Sequence, residues 1–186
     1  MQRIFLIHGW GGSSHNDWFP WAKNALEAQG YRVFVPEMPE TEHPKIDPWV
    51  NALMETVGEP KPDDVFIGHS IGCQAILRYL ERLPEEQKVG KLVLIAPWWF
   101  LTLDVDEEQS DADPWLKIDV DFGKIKTKAD KFVAVFSDND PFVILEKNIK
   151  FFKENLNPET VIKEKKGHFT ESDGIKDLPF LLELLK

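Results

Sequence analysis

The chain carries a single cysteine, Cys73, in 186 residues, so no intramolecular disulfide can staple it. No stretch approaches the roughly 20 apolar residues that a membrane-spanning helix needs. The N-terminal apolar run, Ile4 to Ile7, is broken by His8-Gly9 and is too short for the apolar region of a signal peptide. Runs of basic residues are also lacking, and a net charge of -10 would repel phosphate backbones. These absences predict a cytoplasmic protein with no membrane and no nucleic-acid partner. Repeats, low-complexity tracts and Gly/Ser linkers are missing as well, which predicts one folding unit over residues 1–186.

What is present supports a globular core: 42% hydrophobic residues, 12% aromatic and 29% charged. Six short apolar runs, Ile4 to Ile7, Arg32 to Val35, Val65 to Ile67, Leu92 to Ile95, Phe132 to Phe136 and Thr160 to Ile162, alternate with segments of helical period. That alternation predicts an α/β protein with a parallel sheet and helices on both faces. Helices are expected from Trp18 to Gln29, capped by Asp17 and closed by Gly30, and from the cap-then-proline pair Asp47-Pro48. Others follow over Ile71 to Leu83, Val143 to Asn155 and Ile175 to Leu184, with Pro179 kinking or delaying the last. Pro97 to Lys124 shows no clear period and contains Trp98, Trp99, Phe100, Trp115 and the acidic patch Asp104 to Glu108. It is expected to be a lid-like loop.

Gly68-His69-Ser70-Ile71-Gly72 lies between a predicted strand and a predicted helix. As a bare pattern G-x-S-x-G arises by chance in roughly one chain in twenty of this size. The strand-turn-helix context is what makes it the nucleophile elbow of an α/β-hydrolase. The two glycines remove side chains that would collide at a tight turn, and Ser70 sits in that turn as the nucleophile. The backbone amide of Ile71, at the start of the following helix, is placed to donate to an oxyanion.

In that fold the base follows the nucleophile in the chain, and His168 is the one histidine C-terminal to Ser70. Its setting, Gly167-His168-Phe169 after the last predicted strand, suits a general base. The strand Phe132 to Phe136 ends in Ser137-Asp138-Asn139-Asp140-Pro141, so Asp138 and Asp140 both qualify as the acid that orients the imidazole. The residues alone do not separate them. A second oxyanion donor is expected from His8-Gly9-Trp10-Gly11-Gly12 after the first strand, with the Trp10 amide first and Gly11 as runner-up.

Other chemistries lack their residues. Neither G-x-G-x-x-G nor a P-loop follows these glycines, so a nucleotide is not expected. His8 and His15 have no second His or Cys at ligand spacing, so no metal is expected either. Cys73 reads as a small packing residue of the elbow helix. Trp98, Trp99, Trp115 and Phe142 are either walls of an apolar pocket or packing residues.

The glycine-rich start at His8 to Gly12, Asn16-Asp17-Trp18-Phe19-Pro20-Trp21, Met38-Pro39, the elbow, Asp140-Pro141-Phe142 and Gly167-His168-Phe169 together resemble the retinoblastoma-binding-protein-9-like small serine hydrolases. The resemblance runs over nearly the whole chain. It implies a compact α/β-hydrolase fold with strand order 2-1-3-4-5-6, an elbow at the topological switch point, and Asp140 rather than Asp138 as the acid. Ser70, His168 and Asp140 would then hydrolyse a small ester or amide through an acyl-enzyme, without a cofactor. Amidase, thioesterase and perhydrolase chemistry fit the same residues. A rival from another class is a non-catalytic protein-binding module on this scaffold. The sequence shows no specific protein partner, and the presence of all three triad residue types weighs for the enzyme.

Overall fold

The computed structural model describes residues 1–103 and 106–186. A six-stranded, wholly parallel sheet organises them, in the order β2-β1-β3-β4-β5-β6. Its strands are β1 (Arg3–Ile7), β2 (Arg32–Phe34), β3 (Val65–His69), β4 (Val89–Ile95), β5 (Ala129–Ser137) and β6 (Glu159–Lys163). The sheet follows the order that the resemblance implies. β1, β3 and β4 are near-continuous apolar runs because both of their faces are covered: Ile4 to Ile7, Phe66, Ile67 and Leu92 to Ile95 are wholly buried. β6, at the edge, alternates and is half-exposed.

The helices are α1 (Phe19–Ala28), α2 (Ile46–Val57), α3 (Ile71–Arg82), α4 (Asp106–Lys117), α5 (Phe122–Lys126), α6 (Leu145–Asn155) and α7 (Phe180–Leu184). Right-handed crossovers run one way from β1 to β2 and the other way from β2 onward. This reversal sends helices to opposite faces. Accordingly α2 and α5 pack against α3, while α1 packs against α7. The reversal falls between β1 and β3, and the loops leaving those two strands open the crevice in which ligands of such sheets bind.

Four expectations are corrected. Pro97 to Lys124 is not a plain loop, since α4 and the start of α5 occupy it. The Asp104 to Glu108 patch lies outside the described residues at Asp104 and Val105 and in the side chains of the remaining positions. Asp17 does not cap α1. Its φ is 53°, the cap position is Trp18, and the Asp17 carboxylate instead accepts from the Glu171 amide at 2.6 Å. The second helix begins at Ile46 behind an extended Lys45, which leaves Asp47 inside the first turn and paired with Arg82. Finally, the last helix does not begin at Ile175: Pro179, at the N-cap of α7, delays it to Phe180–Leu184 as expected, because a proline has no amide to continue a helix begun earlier.

Candidate active site

β3 delivers the elbow. Ser70 has φ 53° and ψ -122°, a left-handed conformation that costs a non-glycine residue on the order of 1–3 kcal/mol. Its amide is tied to the Ile95 carbonyl at 2.9 Å, and its own carbonyl accepts from the Cys73 amide at 2.9 Å. The glycines are required by close approach. A β-carbon on Gly72 would lie 2.5 Å from the Ile7 carbonyl oxygen and 2.6 Å from that of His8; one on Gly68 would lie 2.8 Å from the Cys73 nitrogen. So α3 lies directly on the end of β1. Among the described residues the Ile71 amide has no hydrogen-bond acceptor.

The loop after β1 is held by His8, which is fully buried. Its Nε2 accepts from the Met38 amide at 3.0 Å, so the proton sits on Nδ1 and is donated to the Gly9 carbonyl, also at 3.0 Å. Burial lowers its pKa, which keeps the ring neutral although the exposed Glu37 lies 3.9 Å away. The Trp10 indole donates to the Glu42 carbonyl at 2.8 Å, and the Gly11 amide to the Thr41 carbonyl at 2.9 Å. The Gly11 amide is thereby occupied. The Trp10 amide, like that of Ile71, has no acceptor among the described residues.

The loop after β5 and the loop after β6 are joined by a row of side-chain contacts. Ser137 Oγ accepts from the Lys166 amide at 3.0 Å, Asp138 Oδ1 from Lys165 at 2.7 Å and Asn139 Oδ1 from Gly167 at 2.9 Å. Asp140 is the member that reaches a side chain of the other loop: its Oδ2 lies 2.8 Å from His168 Nδ1, while its Oδ1 accepts from the Phe142 and Val143 amides at 2.9 and 3.0 Å. The structure therefore places Asp140 on the imidazole and Asp138 on backbone. With Nδ1–H directed at a carboxylate, His168 Nε2 carries a lone pair.

The His168 backbone is clamped at both ends. Its amide donates to Asp173 Oδ2 at 2.8 Å, and its carbonyl accepts from His69 Nε2 at 2.7 Å. His69, the variable residue of the elbow, thus ties β3 directly to the His168 loop. Burial above all, then repulsion from His168, pushes its pKa down to about 3, so it is neutral with its proton on Nε2. Phe142 meets the His168 ring edge-on, with centroids 5.3 Å apart.

Ser70 and His168 line one cavity of about 330 Å³. Its apolar wall is Trp10, Trp98, Leu101, Leu103 and Phe142, and Asp17 and Glu42 line it as well. Among the described residues no cation pairs with either carboxylate, and burial raises the Asp17 pKa. The Ser70 hydroxyl receives a hydrogen bond from the Trp98 indole at 3.3 Å. Trp99 and Trp115 lie elsewhere: Trp99 stacks on Phe151, and Trp115 is buried against Trp49 with its indole on the Pro44 carbonyl. Cys73 is buried, its thiol reaches the Ile95 carbonyl, and burial raises its pKa.

Sequence reasoning missed His69, Asp173, Ser137 and Asn139. For His69 a signal existed, since a polar residue ending a central buried strand needs a partner. Asp173 is reachable only through the turn at Thr170, whose hydroxyl and amide it also binds.

Comparison with known proteins agrees with this fold. The chain is 28% identical to the hydrolase YdeN of Bacillus subtilis over 186 residues, covering 99% of this chain and 94% of that protein. It is 26% identical to the serine hydrolase RBBP9 of Rattus norvegicus over 137 residues, 73% of this chain and 69% of the relative. The crystal structure of the Bacillus subtilis ydeN product superposes with a TM-score of 0.90 at 26% identity, covering 100% of this chain and 97% of the other. Est1E of Butyrivibrio proteoclasticus, solved with ferulic acid bound, shares the fold at a TM-score of 0.72 and 17% identity, covering 98% of this chain and 89% of the other. Residues 4–186 match the serine hydrolase family, and the chain belongs to that family.

Proposed function

We propose that this hydrolase cleaves a small ester or amide through an acyl-enzyme, with Ser70 as nucleophile, His168 as general base and Asp140 as the acid that orients it. The observation that carries the reading is the 2.8 Å contact of Asp140 Oδ2 with His168 Nδ1 beside a cavity that His168 shares with Ser70. Ser70 Oγ attacks the carbonyl carbon as its proton passes to His168 Nε2. The carbonyl π pair moves to oxygen, where the Ile71 and Trp10 amides, both without other acceptors among the described residues, receive it. Collapse of the tetrahedral species expels the alcohol or amine, which takes the proton from His168. Water, deprotonated by the same imidazole, then releases the acid. The sequence of steps uses no cofactor.

A cavity of about 330 Å³ walled by Trp10, Leu101 and Phe142 favours short or aromatic acyl groups over long lipid chains. The test is labelling by a fluorophosphonate together with turnover of p-nitrophenyl acetate. Ser70→Ala is expected to lose both and His168→Ala to lose turnover. A folded wild type that neither labels nor turns over would overturn the reading in favour of a binding module.

A further inference from the structure

Trp98 stands in the loop after β4, and its side chain is 1% exposed. Its Nε1 donates to Ser70 Oγ at 3.3 Å, which among the described residues is the one hydrogen bond that the hydroxyl makes. An indole N–H can only donate, so Oγ is the acceptor here and the hydroxyl's own proton stays available for a base.

The indole is held through its main chain. The Trp98 carbonyl accepts from Gln74 Nε2 at 2.6 Å, and Gln74 Oε1 accepts in turn from Arg78 Nη1. Arg78 Nη2 donates to the carbonyls of Trp115 at 2.7 Å and Ile118 at 3.1 Å, at the carboxyl end of α4. From the opposite side Asn148 Oδ1 accepts from the amides of Trp99 and Phe100 at 2.6 and 3.0 Å. Gln74 and Arg78 are 1% and 3% exposed. Arg78 makes no ion pair with a carboxylate among the described residues. It is balanced by the negative pole of α4 and by the rings of Trp99 and Trp115, 5.7 and 5.4 Å from its guanidinium carbon. A buried guanidinium so placed is costly to keep. What it does here is hold the Gln74 amide toward the Trp98 carbonyl.

We propose that Trp98 is a further catalytic residue, its indole N–H stabilising the negative charge that passes through Ser70 Oγ, and that Gln74 and Arg78 are positioning residues that aim it. The proposal rests on the reading of Ser70 as nucleophile. The indole gives up no proton. The O–H bond of Ser70 breaks toward His168 Nε2, the Oγ–carbon bond forms, and the hydrogen bond from Trp98 strengthens only while Oγ carries charge, which is the condition for lowering the barrier.

The test compares Trp98→Phe, Gln74→Glu and the double variant in p-nitrophenyl acetate turnover and fluorophosphonate labelling rate. The Trp98 indole resonance is followed by NMR in the wild type and in Ser70→Ala. Phe keeps most of the ring and loses the donor. Glu keeps an acceptor for Arg78 but turns an oxygen toward the Trp98 carbonyl. Each single variant is expected to lower kcat and labelling rate about tenfold, with KM within about twofold, as for loss of one hydrogen bond made in the transition state. The double variant should be no worse than Trp98→Phe, because Gln74 acts through Trp98. Multiplying losses would show that Gln74 only supports the fold, and would overturn its positioning role. A Trp98→Phe protein with wild-type kcat, or a Trp98 indole resonance unmoved by Ser70→Ala, would overturn the proposal while the hydrolase reading stands. A wild type without labelling or turnover would overturn both.

Discussion

Asp140→Asn is the substitution that probes the site most sharply, because the carboxylate has a different task for each oxygen. Oδ1 receives the Phe142 and Val143 amides and Oδ2 receives His168 Nδ1–H. An asparagine must keep its oxygen on the two amides, since an NH₂ group there would face two N–H donors. Its NH₂ then falls opposite His168 Nδ1 and can only donate, so the imidazole must present a lone pair at Nδ1 and carry its proton on Nε2. In that tautomer it cannot take the Ser70 proton. The ring cannot escape by moving its backbone, which Asp173 and His69 hold at 2.8 and 2.7 Å. The expected loss in kcat for p-nitrophenyl acetate is about 10⁴-fold, or roughly 5.5 kcal/mol at 1.36 kcal/mol per decade. Asp138→Asn, which retains an oxygen for the Lys165 amide, should stay within about threefold of wild type. An Asp140→Asn enzyme within about tenfold of wild type, or an Asp138→Asn enzyme more damaged than it, would refute the reasoning.

Three further outcomes are expected. Gly72→Ala forces a β-carbon to within 2.5 Å of the Ile7 carbonyl oxygen, so α3 must lift from β1; urea unfolding should show a loss of about 3 kcal/mol, and a loss below about 1 kcal/mol would contradict the packing. Burial holds the His69 pKa at about 3 instead of 6.5, so the unfolded chain binds a proton that the native chain refuses and stability falls as pH drops below 6.5. The limiting slope is about 1.4 kcal/mol per pH unit. It should flatten in His69→Gln, whose amide can still donate to the His168 carbonyl, and equal slopes in the two proteins would exclude this origin. Asp17 and Glu42 line the cavity with no cation paired to either among the described residues, so an ester with an anionic acyl group should show a kcat/KM roughly three- to tenfold below its neutral isostere, with the gap narrowing in about 0.5 M salt. A salt-insensitive preference would place its cause in shape instead of charge.

The strands were legible because a parallel strand covered on both faces is a plain apolar run, and the elbow because its glycines answer to a collision that any such turn meets. The α4 segment was not. Its sequence from Asp106 to Lys117 is acidic and interrupted by Pro114, and it offers Ala112 and Trp115 but no sustained apolar stripe. What holds its end is Arg78, on another helix, a tertiary contact that no local period can display. Asp17 failed as a cap for the same reason, since its partner is the Glu171 amide, 154 residues away. The choice between Asp138 and Asp140 turned on which loop residues face one another across β5 and β6. Spacing along one strand does not contain that information.

The join between the β5 and β6 loops also orders events during synthesis. Ser70, the loop after β1 and the sheet centre emerge from the ribosome first, whereas His69 waits for the carbonyl of His168, 99 residues later, before its imidazole has that partner. Until β6 docks at the sheet edge and carries His168 onto Asp140, a nascent chain would hold Ser70 without the base proposed for it. On the proposed assignment, hydrolytic competence would therefore be acquired at the last strand addition, and a chain stalled before that point would be silent toward esters.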